Sequence, residues 1–148
     1  MVLKNKKVFF QPEVIELKIP AKTKYMLVVR LSVTGIGQRM EFSVDDIEDL
    51  KIAVGEAYIN SIRHGYEKEE PGNFIHITFS IQPTKIEIVI KDNGRGFDIA
   101  PIDEYLEKVD NAKIKGIGMG IYLMKTLMDE VEFNSYPNGT EVRLVKYK

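Results

Sequence analysis

The stretch SVDDIEDLKIAVGEAYINSIRHGY, residues 43–66, carries apolar residues at helical spacing and predicts one long amphipathic helix. Ser43 is followed three residues later by Asp46, a variant of the capping box that places the helix start directly after Ser43. Within this helix, Glu56 and Asn60 lie one turn apart beside the apolar face. A lone pair of this kind is compatible with a solvated helix edge, so its meaning depends on the other segments of the chain.

The segments on either side predict further helices and strands. Two more helices are expected at residues 24–40 and 119–131 from their apolar spacing. Alternating apolar residues predict five strands: 13–20, 74–81, 85–92, 131–136 and 141–147. Residues 93–117 are predicted as mostly loop, with room for a short helix at 102–109. This order predicts an α+β fold, a two-layer α/β sandwich whose mixed, mostly antiparallel sheet is covered on one face by helices.

The composition narrows the classes of function. The 148 residues suit a single domain over 1–148, and the net charge of −1 gives no electrostatic case for binding nucleic acid or an anionic membrane. The absence of cysteine excludes disulfides, thiolate zinc sites and cysteine nucleophiles. The N-terminus has only a very short apolar run, and no run reaches the ~18 residues of a membrane span. We therefore expect a soluble cytoplasmic protein without a signal peptide.

Two glycine-rich segments point to ligand chemistry. In DNGRGFD, residues 92–98, Gly94 and Gly96 allow a tight turn or the close approach of a ligand beside Asp92. KGIGMGIYLM, residues 115–124, places glycines at a helix start, where free N–H groups and the positive end of the helix dipole suit phosphate. Each segment alone also fits a simpler reading, a solvated turn and a flexible hinge respectively. The second segment matches neither a Walker A motif nor a Rossmann turn.

Taken together and in this order, the segments resemble the ATP-binding boxes of the GHKL superfamily, which includes gyrase, mismatch-repair ATPases and histidine kinases. The shared features are E-x-x-x-N on a helix, D-x-G-x-G after a strand, glycines at a later helix start, and a final pair, Gly139 and Thr140. Within the superfamily, GEAYINSIRHGY and GMGIYLMKTLMDEV are most similar to the bacterial anti-sigma-factor serine/threonine kinases. The similarity runs from about residue 13 to residue 146.

The resemblance implies a nucleotide site with ATP and Mg²⁺ as cofactors. Glu56 would be the general base for an attacking serine hydroxyl, and the amide oxygen of Asn60 would bind Mg²⁺. Asp92 would accept from the adenine amino group, with Thr140 alongside. The other implied ATP contacts are Arg63, His64, Gly94, Gly96, Phe97, Lys113, Lys115, Gly118, Met119 and Gly120. Residues 98–117 would form the ATP lid. Two alternatives stay open: His64 would only pack at the end of its helix, and Lys113 and Lys115 would be solvated without contacting phosphate.

The resemblance further implies a serine/threonine protein kinase that sequesters a sigma factor and phosphorylates an anti-sigma-factor antagonist. One alternative is the catalytic domain of a histidine kinase, which Glu56 opposes because those domains usually carry asparagine at that position. Another is a nucleotide-dependent module that binds a partner without phosphotransfer. A homodimer is expected, with no direct nucleic-acid or membrane partner.

Helix 24–40 carries a second set of apolar residues in addition to its core-facing stripe. Leu27 and Leu31 lie on another side of this helix, with Arg30 between the two sets. They are either buried by the domain itself or available to another chain. The resemblance implies that Arg30 contacts both the sigma factor and the antagonist. The alternative is that Arg30 is solvated and only covers its apolar neighbours with the aliphatic part of its side chain.

Overall fold

A computed structural model of the protein describes residues 11–66, 70–94 and 119–148. The helices and strands within these ranges, in chain order, are β1 Glu13–Pro20, a 3-10 turn Thr23–Tyr25, α1 Met26–Arg39, α2 Val44–Gly65, β2 Phe74–Ile81, β3 Lys85–Asp92, α3 Met119–Leu127, β4 Glu130–Tyr136 and β5 Gly139–Tyr147. The first three predicted strands and the long helix are confirmed. The predicted helix at 102–109, and nearly all of the loop around it, lie outside the described residues.

The predicted end of the third helix was wrong. Helix α3 ends at Leu127 instead of residue 131, because the next residues are already bound to the sheet. The N–H of Asp129 donates to the carbonyl of Val145 at 2.9 Å, and Glu130 pairs with Val145 as the first residue of β4. Strand β5 also begins earlier than predicted, since Gly139 already pairs with Tyr136 across the turn.

The described strands form one sheet in the order β1-β2-β3-β5-β4. Each neighbouring pair is antiparallel, so the prediction of a mixed sheet was wrong. The reason is that β5 lies between β3 and β4, which run in the same direction but do not pair with each other. The confirmed part of the prediction is a two-layer α+β architecture with helices against one sheet face.

The side chains on one sheet face form the core with the helices. Ile77 and its partner Ile90 are buried, whereas neighbours such as His76 and Lys91 on the opposite face are exposed. Among the described residues, helix α2 contributes the largest fully buried side chain, Tyr58, whose hydroxyl lies within hydrogen-bonding distance of the carbonyl oxygens of Pro20 and Lys22 at the end of β1. In the part of the chain that the structure describes, no helix combines the length and the apolar character needed to cross a bilayer.

The start of α2 has the predicted cap. The hydroxyl of Ser43 accepts a hydrogen bond from the N–H of Asp46 at 3.1 Å, which satisfies one of the free donors of the first turn. The apolar residues that recur at helical spacing along this helix are buried: Ile47, Leu50, Val54, Ala57, Tyr58 and Ile62. The cap and the apolar stripe therefore determine both where α2 begins and which face it buries.

Lys146 connects the ends of two helices. Its side chain leaves β5 on the helix side, and its Nζ donates to the carbonyl of Leu127 at 2.8 Å. The same Nζ lies 3.8 Å from a carboxylate oxygen of Asp46 and 3.8 Å from one of Asp49, both near the start of α2. Since Lys146 is buried, these contacts attach the end of α3 to the start of α2 and help to set the relative position of the two helices.

Candidate functional site

Asp92, the last residue of β3, is buried at the end of the sheet and only 1% exposed. Its Oδ1 accepts hydrogen bonds from the backbone N–H of Gly94 at 3.1 Å and of Thr140 at 3.3 Å. The other carboxylate oxygen, Oδ2, and the hydroxyl of Thr140 are buried without a hydrogen-bond partner among the described residues. Because buried polar atoms are nearly always paired, these two oxygens mark a position where a polar ligand would fit.

Three glycines allow separate parts of the chain to meet around this carboxyl. A Cβ on Gly65, the last residue of α2, would lie 2.8 Å from the carboxyl carbon of Asp92. A Cβ on Gly94 would overlap the carbonyl oxygen of Gly65, and one on Gly139 would overlap the carbonyl oxygen of Asp92. Gly139 also has a φ of 151°, which disfavours other residues. The end of α2, the end of β3 and the β4–β5 turn therefore converge on Asp92.

The structure gives these glycines a role that the sequence did not show. Gly94 was expected to allow a turn or ligand access, but it is also needed for backbone packing against α2. Gly65 was not predicted as a site residue, and Gly139 was noted only as part of the final Gly-Thr pair. Their sequence signals were weak, a glycine at a helix end and an Asn-Gly turn, because such glycines usually need no ligand to explain them.

The electrostatics of Asp92 follow from its burial. Loss of contact with water raises the pKa of the Asp92 carboxyl above its ordinary value. The N–H groups of Gly94 and Thr140 and the charge of His64 oppose this effect only in part. Asp92 is thus a hydrogen-bond acceptor whose ionised form is disfavoured by the surrounding protein.

A second group of predicted residues lies where α2 meets α3. A Cβ on Gly120 would be 2.5 Å from Oε2 of Glu56, so only a glycine there allows α3 to approach this carboxylate without displacing it. Glu56 is half-buried, whereas Met119 beside Gly120 is 70% exposed. The first turn of a helix has backbone N–H groups without intrahelical partners, and a carboxylate is favourable there.

The remaining predicted residues divide into described and undescribed ones. Asn60 is half-buried on α2 between Glu56 and the Asp92 region, and Arg63 and His64 are exposed in the last turn of the helix. Five predicted contacts lie outside the described residues: Gly96, Phe97, Lys113, Lys115 and Gly118. Among the residues that are described, no group of three or more histidine, aspartate or glutamate side chains is arranged to hold a metal ion.

Comparison with known proteins decides the family. The sequence profile of the histidine kinase-like ATPase domain matches residues 19–146. The chain is 38% identical over 141 residues to serine-protein kinase RsbW of Halalkalibacterium halodurans, covering 93% of this chain and 85% of that relative. It is 40% identical over 139 residues to serine-protein kinase RsbW of Bacillus thuringiensis, covering 91% and 85% respectively. The chain belongs to the RsbW family of serine-protein kinases. This result confirms the resemblance to the anti-sigma-factor kinases within the GHKL superfamily.

Solved structures of low sequence identity have the fold of this RsbW family member. The RsbU and RsbW domains of Rv1364c from Mycobacterium tuberculosis superpose with a TM-score of 0.66 at 16% identity, covering 90% of this chain and 32% of that one. The mycobacterial sensor histidine kinase MprB gives a TM-score of 0.53 at 16% identity, covering 93% and 97% respectively. The histidine-kinase-like ATPase fold is therefore shared by proteins whose sequences differ widely.

The burial of Asp92 leads to a prediction about stability. Asn in place of Asp92 removes a buried charge, while its amide oxygen keeps the two backbone hydrogen bonds. We expect nucleotide-free Asp92→Asn to melt at a higher temperature than the wild type at neutral pH, by roughly 3 °C for a gain of about 1 kcal/mol. Because the folded-state pKa is raised, ionised Asp92 destabilises the protein above that pKa, and this effect vanishes toward the unfolded-state value of about 3.9. The gain should therefore shrink from about pH 7 to about pH 4 in thermal scans followed by circular dichroism.

A matched control removes a negative charge from an exposed position. Asp45 lies in the first turn of α2 and is exposed, so Asp45→Asn should not raise the melting temperature. If the wild type melts at the same temperature as Asp92→Asn or higher at neutral pH, burial of the Asp92 charge does not reduce stability.

Proposed function

We propose that this protein is an ATP-dependent serine/threonine protein kinase that phosphorylates an anti-sigma-factor antagonist and also sequesters a sigma factor. The main support is the pair of buried oxygens without partners, Oδ2 of Asp92 and Oγ1 of Thr140, in a member of the RsbW family. We further propose that residues 1–148 form a single domain and that the ATP lid lies at about 98–117. The protein would act in the cytoplasm.

The chemistry of the two free oxygens fits adenine. A carboxylate accepts hydrogen bonds only, so Oδ2 of Asp92 matches the amino group at the edge of adenine and not the carbonyl oxygen at the same place in guanine. The hydroxyl of Thr140 can donate or accept, which suits a ring nitrogen or a bound water. We therefore assign the base of ATP to the pocket between Asp92 and Thr140.

The remaining nucleotide contacts are assigned along α2 and at the start of α3. The amide oxygen of Asn60 would hold Mg²⁺, and the backbone N–H groups of Met119 and Gly120 would bind phosphate oxygens. Arg63 and His64 would line the mouth of the site from the last turn of α2. Bound ATP would supply the γ-phosphoryl group, and Mg²⁺ would neutralise part of its charge. Gly96, Phe97, Lys113, Lys115 and Gly118 stay predicted contacts.

Glu56 is the proposed general base. Its carboxylate is half-buried between α2 and α3, one helical turn from Asn60, so an oxygen able to accept a proton lies beside the proposed metal ligand. Glu56 would take the proton from the attacking serine hydroxyl, which requires the carboxylate to be ionised when the substrate arrives. This assignment favours phosphotransfer over a binding module without chemistry.

The decisive test compares Glu56→Gln with the wild type. Glutamine keeps the shape of the side chain but does not accept a proton, so transfer of label from ATP to the antagonist should fall by roughly 10²–10⁴-fold. ATP affinity should change little, because Glu56 is not assigned to nucleotide binding. The measurement is the initial rate at which the anti-sigma-factor antagonist is labelled.

The control and the alternatives use the same assay. Glu48 is exposed on α2 and paired with Lys51, so Glu48→Gln should label the antagonist at the wild-type rate. If Glu56→Gln labels the antagonist at the wild-type rate, Glu56 is not the general base. A stable complex without label in the wild type would favour the binding module, and acid-labile label on histidine would favour a histidine kinase.

The assigned adenine contact also predicts that Asp92→Asn binds ATP more weakly than the wild type. Replacing one acceptor oxygen with an NH₂ group places a donor where the adenine amino group also donates. We expect ATP affinity measured by calorimetry to fall by about tenfold, the equivalent of about 1.4 kcal/mol for one lost hydrogen bond and one poor contact. Wild-type protein should also prefer ATP over GTP. Equal ATP affinity in the variant and the wild type would contradict the assigned adenine contact.

Helix α1 provides the proposed partner surface. Leu27 and Leu31 are 65% and 61% exposed, so the described part of the domain does not bury this second apolar set. Arg30 is exposed between the two apolar sets, and a Cβ on Gly55 would lie 3.5 Å from its Nε. Gly55 directly precedes Glu56, which brings the proposed partner contact next to the proposed base. We further propose that the protein forms a homodimer and does not contact nucleic acid directly.

The partner surface is tested with Arg30→Ala. Arginines that become buried when an interface forms are often among its strongest contacts, so binding of the sigma factor and the antagonist should weaken by about 2 kcal/mol or more. ATP affinity should not change, because α1 carries no assigned nucleotide contact. Arg39→Ala, at the exposed end of the same helix, is the matched control and should weaken binding far less. Calorimetry that finds unaltered affinity for both partners would exclude Arg30 from the interface.

A further inference from the structure

Tyr66, the first residue after α2, has a hydroxyl that links two strands next to Asp92. The phenol donates a hydrogen bond to the carbonyl of Phe74, the first residue of β2, at 2.7 Å. It also accepts one from the backbone N–H of Asn93, the residue after β3, at 3.0 Å. The ring is half-buried and packs against the core, so the hydroxyl is held in this position.

The register of the sheet explains what this hydroxyl does. The last pair between β2 and β3 at this end is Ile75 with Asp92. In the same register, Phe74 and Asn93 would form the next pair, and their carbonyl and N–H groups would bond directly. The Tyr66 oxygen bonds to both of these groups instead. The tyrosine therefore ends the pairing of β2 and β3 immediately after Asp92.

The end of the pairing affects the candidate site within one residue. Asn93 lies between Asp92 and Gly94, whose N–H turns back to donate to Oδ1 of Asp92. A chain that stayed in the ladder would continue past Asp92 as a strand and carry the Gly94 N–H away from this oxygen. Burial raises the pKa of the Tyr66 phenol, so at neutral pH the hydroxyl keeps the proton that it donates.

We propose that Tyr66 is a positioning residue for the nucleotide pocket, which holds the turn after Asp92 so that Oδ1 is bound to the protein and Oδ2 is left for the ligand. This inference rests on the proposed function, in which the pocket binds the base of ATP. Tyr66 is assigned no contact with the nucleotide, and it acts through the backbone of Asn93.

Tyr58 provides a matched control for a purely structural role. It is also a tyrosine of the α2 region, fully buried, and its hydroxyl lies 2.7 Å from the carbonyl oxygen of Lys22 and 3.1 Å from that of Pro20. These carbonyls are at the end of β1, which is separated from β3 by β2. Loss of either hydroxyl should lower the melting temperature, but only the loss at Tyr66 should alter the turn after Asp92.

The experiment compares the wild type, Tyr66→Phe and Tyr58→Phe. In Tyr66→Phe, the dissociation constants of ATP and ADP and the KM for ATP should rise by about five- to tenfold, as expected for one lost hydrogen bond. Its kcat should stay within about twofold of the wild type, because the proposed base Glu56 is not involved. In Tyr58→Phe, nucleotide affinity should stay at the wild-type value despite lower stability.

The outcomes separate this inference from the proposed function. Wild-type protein that fails to bind ATP would overturn the proposed function itself. If the wild type binds ATP, two results would overturn only the role of Tyr66. One is unchanged nucleotide affinity in Tyr66→Phe, and the other is an equal loss of nucleotide affinity in Tyr66→Phe and Tyr58→Phe. Lower affinity for ATP but not for ADP would also overturn it, since the effect would then lie at the γ-phosphate and not at the base.

A second measurement does not depend on the variant folding. The Asn93 N–H belongs to an exposed residue, so its protection from hydrogen exchange in the wild type would come from the Tyr66 oxygen. We expect this amide to exchange at least about tenfold more slowly than an unprotected one, a factor equal to about 1.4 kcal/mol of local stability. Exchange at the unprotected rate would show that the tyrosine does not hold this turn.

Discussion

The candidate site depends on one carboxyl group, that of Asp92, at the point where three parts of the chain meet. Its Oδ1 joins the turn after β3 to the start of β5 through the N–H groups of Gly94 and Thr140. The carboxyl packs directly against Gly65 at the end of α2. A side chain larger than hydrogen at that glycine would separate the helix from the sheet at this end. One buried polar contact thus sets both the helix–sheet distance and the shape of the pocket.

Helix α2 connects this pocket to the region where chemistry is proposed. Glu56 contacts the first turn of α3, and Lys146 attaches the last turn of α3 back to the start of α2. Contacts at both ends of the short helix α3 limit its movement relative to α2. The arrangement also has a cost in stability, because Asp92 is a buried charge with one oxygen that the described protein leaves without a partner. Incomplete hydrogen bonding of this kind is typical of sites that are completed by a ligand.

The sequence by itself determined the elements and the family. Period-two alternation predicted β1, β2 and β3 with their observed bounds. In β2 and β3 this alternation reflects one face in the core, whereas β1 buries only Ile19 near its end and leaves Ile15 41% exposed. The cap at Ser43 and the apolar stripe predicted α2 for the same kind of reason, since both signals are local to the segment. The order of the motifs around Glu56, Asn60 and Asp92 was also sufficient to indicate the superfamily, which the matches to known proteins confirm.

Only the tertiary structure decided the contacts between elements. The end of α3 and the start of β4 follow from pairing with β5, which is distant in sequence, so the local helical pattern predicted too long a helix. Gly65 and Tyr66 were not predicted as site residues, and Gly139 was noted only as part of the final Gly-Thr pair, because their importance comes from the proximity of Asp92 and Asn93 in the folded chain. A sequence pattern reports what one segment prefers. A pocket depends on which segments meet, and that is fixed by long-range packing and strand register.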